Sequence, residues 1–200
     1  MKYLYLDVGG VLLTNGWDHV ARREAARVFG IDGDAMALRH DFIYNVYEIG
    51  RITLDRYLDT TVFYEPRPFG KAEFVEFMYS RSAELPGTLA YLTEWKRAHP
   101  EVTVISINNE ARELNRHRIE KFGLHRLFDA FVSSCEVGMR KPDPGIFRLA
   151  LSLSQTEAGR CLYFDDRAML VESAAAVGLD ARRHESAEKT CAAIEEWVQL

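Results

Sequence analysis

The stretch that decides the fold runs from Lys2 to Leu12 and reads KYLYLDVGGVL. Its first part, from Tyr3 to Leu6, is a short apolar run with aromatic residues, followed at once by an acid and then by two glycines. This pattern predicts a buried parallel strand that stops at Asp7 and enters a tight loop. Because open α/β sheets bind their ligands at the carboxyl ends of the strands, we expect Asp7 to lie in a functional site.

Length and composition restrict the class of protein. Two hundred residues form one large domain, or one domain with an insertion, and 48% apolar residues exclude a disordered chain. The net charge of −5 disfavours a nucleic-acid partner, whereas a small phosphorylated substrate needs only a local positive field. The three cysteines have no metal-ligand spacing and leave one unpaired in any disulfide scheme, which indicates reduced thiols in a cytoplasmic protein. No apolar run approaches the ~20 residues that span a bilayer, so we expect no membrane association.

A long helical region follows the first strand. From Trp17 to about Met78 the apolar residues recur at helical spacing, with stretches that end at Gly30 and Gly50. Thr53 is expected to be the N-cap of a further helix. The region is too long for a simple crossover between strands, so we interpret it as an inserted helical cap.

From Pro86 onward, helices and strands alternate. Strands are expected at 102–107, 128–133, 161–164 and 180–183, and helices at 88–98, 110–122, 145–153, 170–177 and 186–197. Such alternation indicates an α/β fold with a doubly wound, mainly parallel sheet. The predicted core domain comprises residues 1–13 and 86–200, and the predicted helical cap comprises residues 14–85.

Polar side chains follow three of the predicted strands. Asp7 follows the first, residues 106–109 follow the second, and Asp165 and Asp166 follow a later one. Because the carboxyl ends of parallel strands share one edge, these groups can meet there with Lys141 from a nearby loop. Clustered carboxylates repel each other unless a divalent cation lies between them, and oxygen ligands favour Mg²⁺. Mg²⁺ and Lys141 would also neutralise a phosphate that approaches Asp7.

In chain order, these regions resemble the four motifs of the haloacid dehalogenase-like (HAD) hydrolases. The loop at 7–11, DVGGV, is similar to a D-x-D-G-[TV] motif, and the strand end at 105–110 is similar to the second motif. Lys141 in the run RKP is similar to the lysine of the third motif, and LYFDD at 162–166 to the acidic fourth motif. The resemblance covers the whole chain, including a helical cap between the first two motifs. It implies a Rossmann-like core and hydrolase activity.

The resemblance also implies roles for the matching residues. Asp7 would be the catalytic nucleophile and a Mg²⁺ ligand, and the backbone carbonyl of Gly9 would be a second ligand. Asp166 would supply the carboxylate ligand of the fourth motif, with Asp165 beside it as a further ligand or a support. Lys141 would orient the nucleophile and bind the phosphate.

The phosphate-binding residues expected from the second motif are less uniform in type. Ser106 has the hydroxyl that this motif usually carries, but the alignment of the strand end favours Asn108 as the catalytic residue of this slot. Asn109 and Gly10 are also expected to contact the phosphate. The family's usual general acid would stand at Gly9, which has no side chain, and Leu170 stands where many relatives have Asn.

The expected function is Mg²⁺-dependent hydrolysis of a small phosphorylated metabolite through an aspartyl-phosphate on Asp7, by a monomer or a homodimer. Two alternatives stay open at this point. One is a dehalogenase-type hydrolase, which would not need the metal carboxylates. The other is a catalytically weak or silent binding protein, because the general acid is missing at Gly9.

Overall fold

The computed structural model describes residues 2–199, and a five-stranded parallel sheet forms its centre. The strands are β1 (Lys2–Leu6), β2 (Val102–Asn108), β3 (Ala130–Ser133), β4 (Cys161–Asp165) and β5 (Asp180–Arg183). Their spatial order is β3-β2-β1-β4-β5. The predicted α/β fold with a doubly wound parallel sheet is confirmed.

The strand order determines where a site can form. The chain proceeds from β1 to β2 and β3 on one side, and then crosses to β4 and β5 on the other side. The carboxyl ends of β1 and β4 therefore form the topological switch point at which sheets of this kind bind ligands. Asp7 directly follows β1, and Asp165 is the last residue of β4.

Helices occupy the connections between the strands. Between β1 and β2 lie α1 (His19–Phe29), α2 (Gly33–Glu48), α3 (Leu54–Thr61), α4 (Lys71–Ser80) and α5 (Thr88–Ala98). The later helices are α6 (Arg112–Lys121), α7 (Ser134–Val137), α8 (Pro144–Ser154), α9 (Ala168–Ala175) and α10 (Ala187–Gln199). We call α1 to α4 the helical insert. Within residues 2–199, none of these helices combines the length and apolar character needed to cross a membrane.

The sheet is buried on both faces because successive side chains of a strand point to opposite sides. Leu4 and Leu6 of β1 belong to an apolar cluster that also contains residues of α5 and α10. Tyr5, between them, belongs to a second cluster with residues of α8 and α9. Its hydroxyl donates to the carbonyl oxygen of Ala150 at 3.2 Å and lies 2.7 Å from Ser154 Oγ. β1 is thus held rigidly beneath the loop that carries Asp7.

The predicted elements are largely confirmed, with differences at their ends. The helix expected from Glu110 begins at Arg112, because the N-cap residue Ala111 has an extended backbone with a ψ of 149°. The strand expected at 128–133 begins at Ala130, because Phe128 still bonds back to Leu124 in a helical turn. The short helix α7 was not predicted, since four residues are too few to show helical periodicity.

Two local features of the insert agree with the sequence pattern, namely an N-cap residue and a glycine at a helix end. Thr53 is the N-cap of α3, and its Oγ1 accepts from the backbone N–H of Arg56 at 3.3 Å. Gly50 has a φ of 73°, and a Cβ there would lie 2.1 Å from the carbonyl oxygen of Cys135. A side chain at this position would therefore push the end of α2 away from the core.

The insert joins the rest of the chain through two adjacent segments. Leu13 and Glu84 form an antiparallel bridge, and the N–H of Thr14 donates to the carbonyl oxygen of Ala83 at 2.8 Å. Thr14 Oγ1 also donates to the carbonyl oxygen of Arg81 at 2.9 Å. This pairing lies close to the predicted limits of the helical cap at residues 14 and 85, and those limits stay a prediction.

The insert has an aromatic core of its own. Phe74 of α4 is completely buried at its centre, with ring centroids 5.0 Å from Phe29 and 5.7 Å from Trp17. Phe63 and Phe69 complete the surrounding rings, and Leu114 of α6 and its N-cap residue Ala111 pack against them. The insert is therefore stabilised mainly by its own packing.

We expect Phe74→Ala to lower the free energy of unfolding by about 3–5 kcal/mol, because it removes a buried ring and leaves a cavity. Urea denaturation followed by tryptophan fluorescence measures the change. Phe42→Ala is the matched control, because that ring is 82% exposed and its removal leaves no cavity. Equal losses in both variants would show that the ring of Phe74 does not support the insert.

Candidate active site

Asp7 lies at the switch point with a fixed orientation. Its backbone N–H donates to the carbonyl oxygen of Phe164 at 2.9 Å, which continues the pairing of β1 with β4. Its Oδ1 accepts from the N–H of Val8 at 2.8 Å and lies 3.0 Å from Lys141 Nζ. With 8% of its surface exposed, Asp7 borders a cavity between the core and the insert.

Lys141 is a buried cation between two carboxylates. Its Nζ lies 3.0 Å from Asp7 Oδ1 and 2.7 Å from Asp165 Oδ2, and its hydrogen bond to the hydroxyl of Tyr163 is 3.1 Å long. Asn109 holds the loop in place, because its side-chain amide both accepts from the N–H and donates to the carbonyl oxygen of Lys141, each at 2.8 Å. Asn109 therefore positions Lys141 through both the nitrogen and the oxygen of its side-chain amide.

Three carboxylates meet beside this lysine. Asp7, Asp165 and Asp166 each offer an oxygen, and these oxygens lie within 4.8 Å of one another. Both oxygens of Asp165 are occupied, since Oδ2 accepts from Lys141 and from Tyr163, and Oδ1 from the N–H of Arg167. Asp166 Oδ1, in contrast, is buried and has no hydrogen-bond partner among residues 2–199. An orphaned oxygen in an all-oxygen donor set fits a Mg²⁺ ion.

The pKa values of these three carboxyl groups reflect their burial and their short separations. Burial raises the pKa of Asp7 to about 6, although the ammonium of Lys141 opposes the shift. Burial and the neighbouring Asp165 also raise the pKa of Asp166. Burial acts upward on the pKa of Asp165 too, but Lys141 and the hydroxyl of Tyr163 hold it below its ordinary value. Lys141 thus stabilises the ionised form of Asp165. Asp7 and Asp166 keep raised pKa values, and a further cation would stabilise their ionised forms.

Not all of the expected phosphate contacts are in place. Asn108 lines the cavity, and its side chain is held by Ser133 Oγ at 2.9 Å and by Asn115 Oδ1 at 3.3 Å. Ser106 lies two residues deeper in β2, is completely buried and does not line the cavity. Asn108 is therefore the residue of this strand that borders the cavity, and a phosphate contact of Ser106 stays a prediction.

The N–H of Gly10 is engaged within its own loop. Its N–H donates to the carbonyl oxygen of Leu13 at 2.7 Å, so this group closes the loop and is not directed at a phosphate. A Cβ at Gly10 would lie 2.2 Å from Asp166 Oδ2, and its φ is 73°. Glycine is thus required here because the acid of the fourth motif packs against its backbone.

The space beside Gly9 is already filled. A Cβ on Gly9 would lie 2.9 Å from Asn15 Oδ1, and the guanidinium of Arg118 is 3.9 Å away. Asn15 and Arg118 therefore occupy the place in which a carboxylic acid would otherwise stand. The loop contains no proton donor at this position and has no room for one without rearrangement.

The cavity in front of Asp7 has a volume of about 260 Å³. The insert contributes polar side chains to its wall that sequence reasoning missed, because the facing side of a helix cannot be deduced without its packing: Arg22, His40, Tyr44 and Glu48. The core also contributes residues that were missed: Glu110, Arg118, Arg140 and Arg167. Of these, Glu110, Arg140 and Arg167 are adjacent in sequence to the predicted site residues Asn109, Lys141 and Asp166, and that adjacency was the available signal.

Two ion pairs line the cavity. Glu48 of α2 lies 2.5 Å from Arg140 Nε across the gap between the insert and the core. Glu110 and Arg118 form a buried pair, and Arg118 Nη2 also donates to the carbonyl oxygen of Thr14 at 2.7 Å. Burial raises the pKa of Glu110 to about 7, with Arg118 opposing the shift. The cavity wall is therefore strongly charged on both of its sides.

The family model described as haloacid dehalogenase-like hydrolase matches residues 1–178. The chain belongs to the haloacid dehalogenase-like hydrolase family. Phosphatase MT3486 of Mycobacterium tuberculosis (strain CDC 1551 / Oshkosh) is 32% identical to it over 110 residues. That match covers 54% of this chain and 50% of the relative, so the chain spans about half the length of the curated relative it matches.

Solved structures agree on the fold. The HAD family enzyme bt-2542 from Bacteroides thetaiotaomicron, in complex with magnesium and inorganic phosphate, has a TM-score of 0.78 at 19% identity and covers 92% of this chain and 94% of its own. L-2-haloacid dehalogenase from Xanthobacter autotrophicus, with chloropropionic acid covalently bound, has a TM-score of 0.61 at 16% identity. It covers 90% of this chain and 75% of its own. At these identities the likeness shows the fold alone.

We expect Asp166→Asn to weaken Mg²⁺ binding by about tenfold or more, because the substitution removes a carboxylate that has no other partner for Oδ1. Isothermal titration calorimetry with magnesium chloride measures the affinity. Asp41→Asn is the control, since it makes the same chemical change on the exposed face of α2. An unchanged affinity in Asp166→Asn would show that this carboxylate does not hold the metal.

Proposed function

We propose that this hydrolase is a Mg²⁺-dependent phosphatase that acts on a small phosphorylated metabolite through an aspartyl-phosphate on Asp7. The observation that carries the proposal is the combination of a fixed nucleophile, a buried lysine and an acid with an orphaned oxygen at one switch point. Each group has a defined use in phosphoryl transfer.

Asp7 is oriented for attack by its two donors. Because Val8 N–H and Lys141 Nζ hold Oδ1, Oδ2 is the oxygen that attacks phosphorus. The bond from phosphorus to the leaving-group oxygen breaks as the new bond to Asp7 forms, and water then hydrolyses the acyl-phosphate. Lys141 neutralises part of the charge on the phosphoryl oxygens, and Asn108 offers its amide to them.

Mg²⁺ would be held by Asp7, Asp166 and the backbone carbonyl of Gly9, and when bound it supplies positive charge for the phosphate dianion. Asp165 acts mainly as a support, because both of its oxygens are already engaged. Asn109 contributes in a similar way, through its two hydrogen bonds to the backbone of Lys141.

The helical insert would be the cap of the site, with limits at residues 14 and 85. Its residues His40, Tyr44 and Glu48 line the same cavity as the nucleophile and would contact the leaving group of a phosphate ester. Closure over the ester would exclude water and select the leaving group by its shape and polarity.

Two comparisons support phosphate chemistry. A relative that this chain matches over half of the relative's length is named a phosphatase. The structure of a protein of the same fold was solved with magnesium and inorganic phosphate. The dehalogenase alternative does not need a metal-binding acid, so the orphaned Asp166 counts against it. The alternative of a silent binding protein rests on Gly9, and the experiment below separates it from the phosphatase.

We expect purified protein to hydrolyse p-nitrophenyl phosphate only when Mg²⁺ is present. Asp7→Asn is expected to lower the turnover number by roughly 10³-fold or more, because an amide is a poor nucleophile and a weaker metal ligand. Release of p-nitrophenolate, followed by its absorbance, measures both effects. p-Nitrophenolate leaves without protonation, so the missing acid at Gly9 does not prevent this reaction.

Asp41→Asn is again the control and should keep full activity, because Asp41 is exposed on α2. Chloride release from 2-chloropropionate without Mg²⁺ would instead establish a dehalogenase. Binding of Mg²⁺ without turnover of any ester in a metabolite panel would establish a silent protein and overturn the proposal.

A further inference from the structure

Among residues 2–199, five arginine and lysine side chains line the cavity, and four of them act on carboxylates. Three form ion pairs with acids of the cavity wall: Arg118 with Glu110, Arg140 with Glu48, and Lys141 with Asp7. Arg167 forms no such pair, but its charge still acts on two acids. Burial raises the pKa values of Asp166 and Glu48, and the charge of Arg167 opposes both shifts.

Arg22 of α1 is the cation of the cavity wall that no acid compensates. No carboxylate of residues 2–199 forms an ion pair with it, and its Nη1 donates to the carbonyl oxygen of Trp17 at 2.8 Å. Its Nε and Nη2 have no hydrogen-bond partner in the same part of the chain, and both stay accessible. The Nε–Nη2 edge of a guanidinium can bind a carboxylate or a phosphate through two parallel hydrogen bonds.

Asp18 is the acid nearest to Arg22 in sequence, but it is engaged elsewhere. Its Oδ1 accepts from the N–H groups of Val20 and Ala21, each at 2.9 Å, as the N-cap of α1. The carboxylate of Asp18 is therefore stabilised by the helix that it caps.

His40 of α2 supplies a second free donor. The ring is 95% buried, because only 5% of the residue is exposed, and it lines the cavity. Its Nδ1 lies 2.8 Å from the hydroxyl of Tyr57, and that hydroxyl accepts from Trp17 Nε1 at 2.9 Å. Because an indole N–H can only donate, the proton of the Tyr57 hydroxyl is available to Nδ1 of His40.

His40 therefore carries its own proton on Nε2. Burial lowers the pKa of His40 to about 3, and the nearby charge of Arg22 lowers it further, so the ring is neutral near pH 7. A neutral imidazole that accepts at Nδ1 is a donor at Nε2. This N–H has no partner among the described residues, although the ring around it is buried. A buried and oriented donor without a protein partner marks a position for a ligand.

Trp17 holds both donors in place before any ligand arrives. Its carbonyl oxygen accepts from Arg22, and its indole N–H begins the hydrogen-bonded chain that ends at His40. Trp17 is itself 2% exposed, with its ring centroid 5.7 Å from that of Phe74 in the core of the insert. Such fixed donors lose little conformational freedom when they bind an anion.

We propose that Arg22 and His40 form a subsite for a second anionic group of the substrate. This assignment rests on the proposed phosphatase function and names its substrate class. The substrate is a phosphate monoester whose leaving group carries a carboxylate or a further phosphate on a short chain, because both ends must fit in one cavity of about 260 Å³. A neutral leaving group would leave the guanidinium of Arg22 without a partner in the closed site, so it would bind less well.

Three phosphonates that cannot be hydrolysed test the subsite. 3-Phosphonopropionate differs from propylphosphonate by a carboxylate in place of a methyl group, and ethane-1,2-bisphosphonate carries a second phosphonate at that position. Isothermal titration calorimetry with Mg²⁺ present measures the three affinities. We expect wild-type protein to bind at least one of the two doubly anionic compounds about tenfold or more tightly than propylphosphonate. The tighter of the two shows whether the second group is a carboxylate or a phosphate.

Arg22→Met should abolish this preference, because it removes the charge and keeps an apolar chain of similar length. The affinity for propylphosphonate should change by a much smaller factor. Arg22→Lys should restore part of the preference, since it returns the charge without the two parallel donors. Arg23→Met is the matched control, because it makes the same change at the adjacent, exposed position of α1 and should leave the preference intact.

His40→Phe tests the second donor. Phenylalanine keeps a ring at the position where His40 lies 4.3 Å from the ring centroid of Tyr44, but it has no N–H. We expect this variant to lower the preference by a smaller factor than Arg22→Met does, because a neutral donor is lost in place of a charged one. An unchanged preference in His40→Phe would exclude His40 from the subsite.

Two results would overturn the subsite as a whole. One is an equal affinity of wild-type protein for all three phosphonates, and the other is an equal loss for all three in Arg22→Met, which would show that Arg22 only supports Trp17. The titrations need no turnover, so they separate the subsite from the catalytic proposal. Hydrolysis of p-nitrophenyl phosphate without any preference would refute the subsite alone. A preference that depends on Arg22, in a protein that hydrolyses no ester, would refute the phosphatase and leave an anion-binding site.

Discussion

The contact of Lys141 with Asp7 and Asp165 is the interaction on which the site depends. An ammonium group that is 1% exposed must be paired, and here two strand ends supply its partners. Without that cation, the carboxylates that follow β1 and β4 would repel each other across adjacent strands. The reciprocal bonds of Asn109 to the backbone of Lys141 show how much of the surrounding structure serves to keep this one charge in place.

The sheet topology explains why residues so far apart in sequence meet at this charge. β1 lies between β2 and β4, so the loops after all three strands open on the same edge. Apolar packing on both faces of the sheet fixes the strand ends, and these determine where the polar side chains lie. The position of the site is thus a product of strand order, and the insert contributes part of the cavity wall.

Sequence reasoning predicted the core of the site because those residues directly follow strands, and a strand end is visible in a pattern of apolar residues. It did not indicate that Ser106 is completely buried, since residue type and alternation do not reveal how deep in the sheet a position lies. It did not indicate the bond from the N–H of Gly10 to Leu13, because the partner of an N–H group in a loop depends on how the loop closes. The wall residues of the insert, such as Glu48, could not be predicted, because their direction depends on how α2 docks against Ser134 and Arg140.

Thr14 belongs to both halves of the molecule. Its N–H and hydroxyl bind the returning segment at Ala83 and Arg81, and its carbonyl accepts from Arg118, which pairs with Glu110 in the cavity wall. The insert is consequently not a module that could be exchanged by cutting the two adjacent segments that join it to the rest of the chain. A chimera that receives an insert from another protein would have to carry this residue, its partners on the returning segment and the buried arginine as one unit.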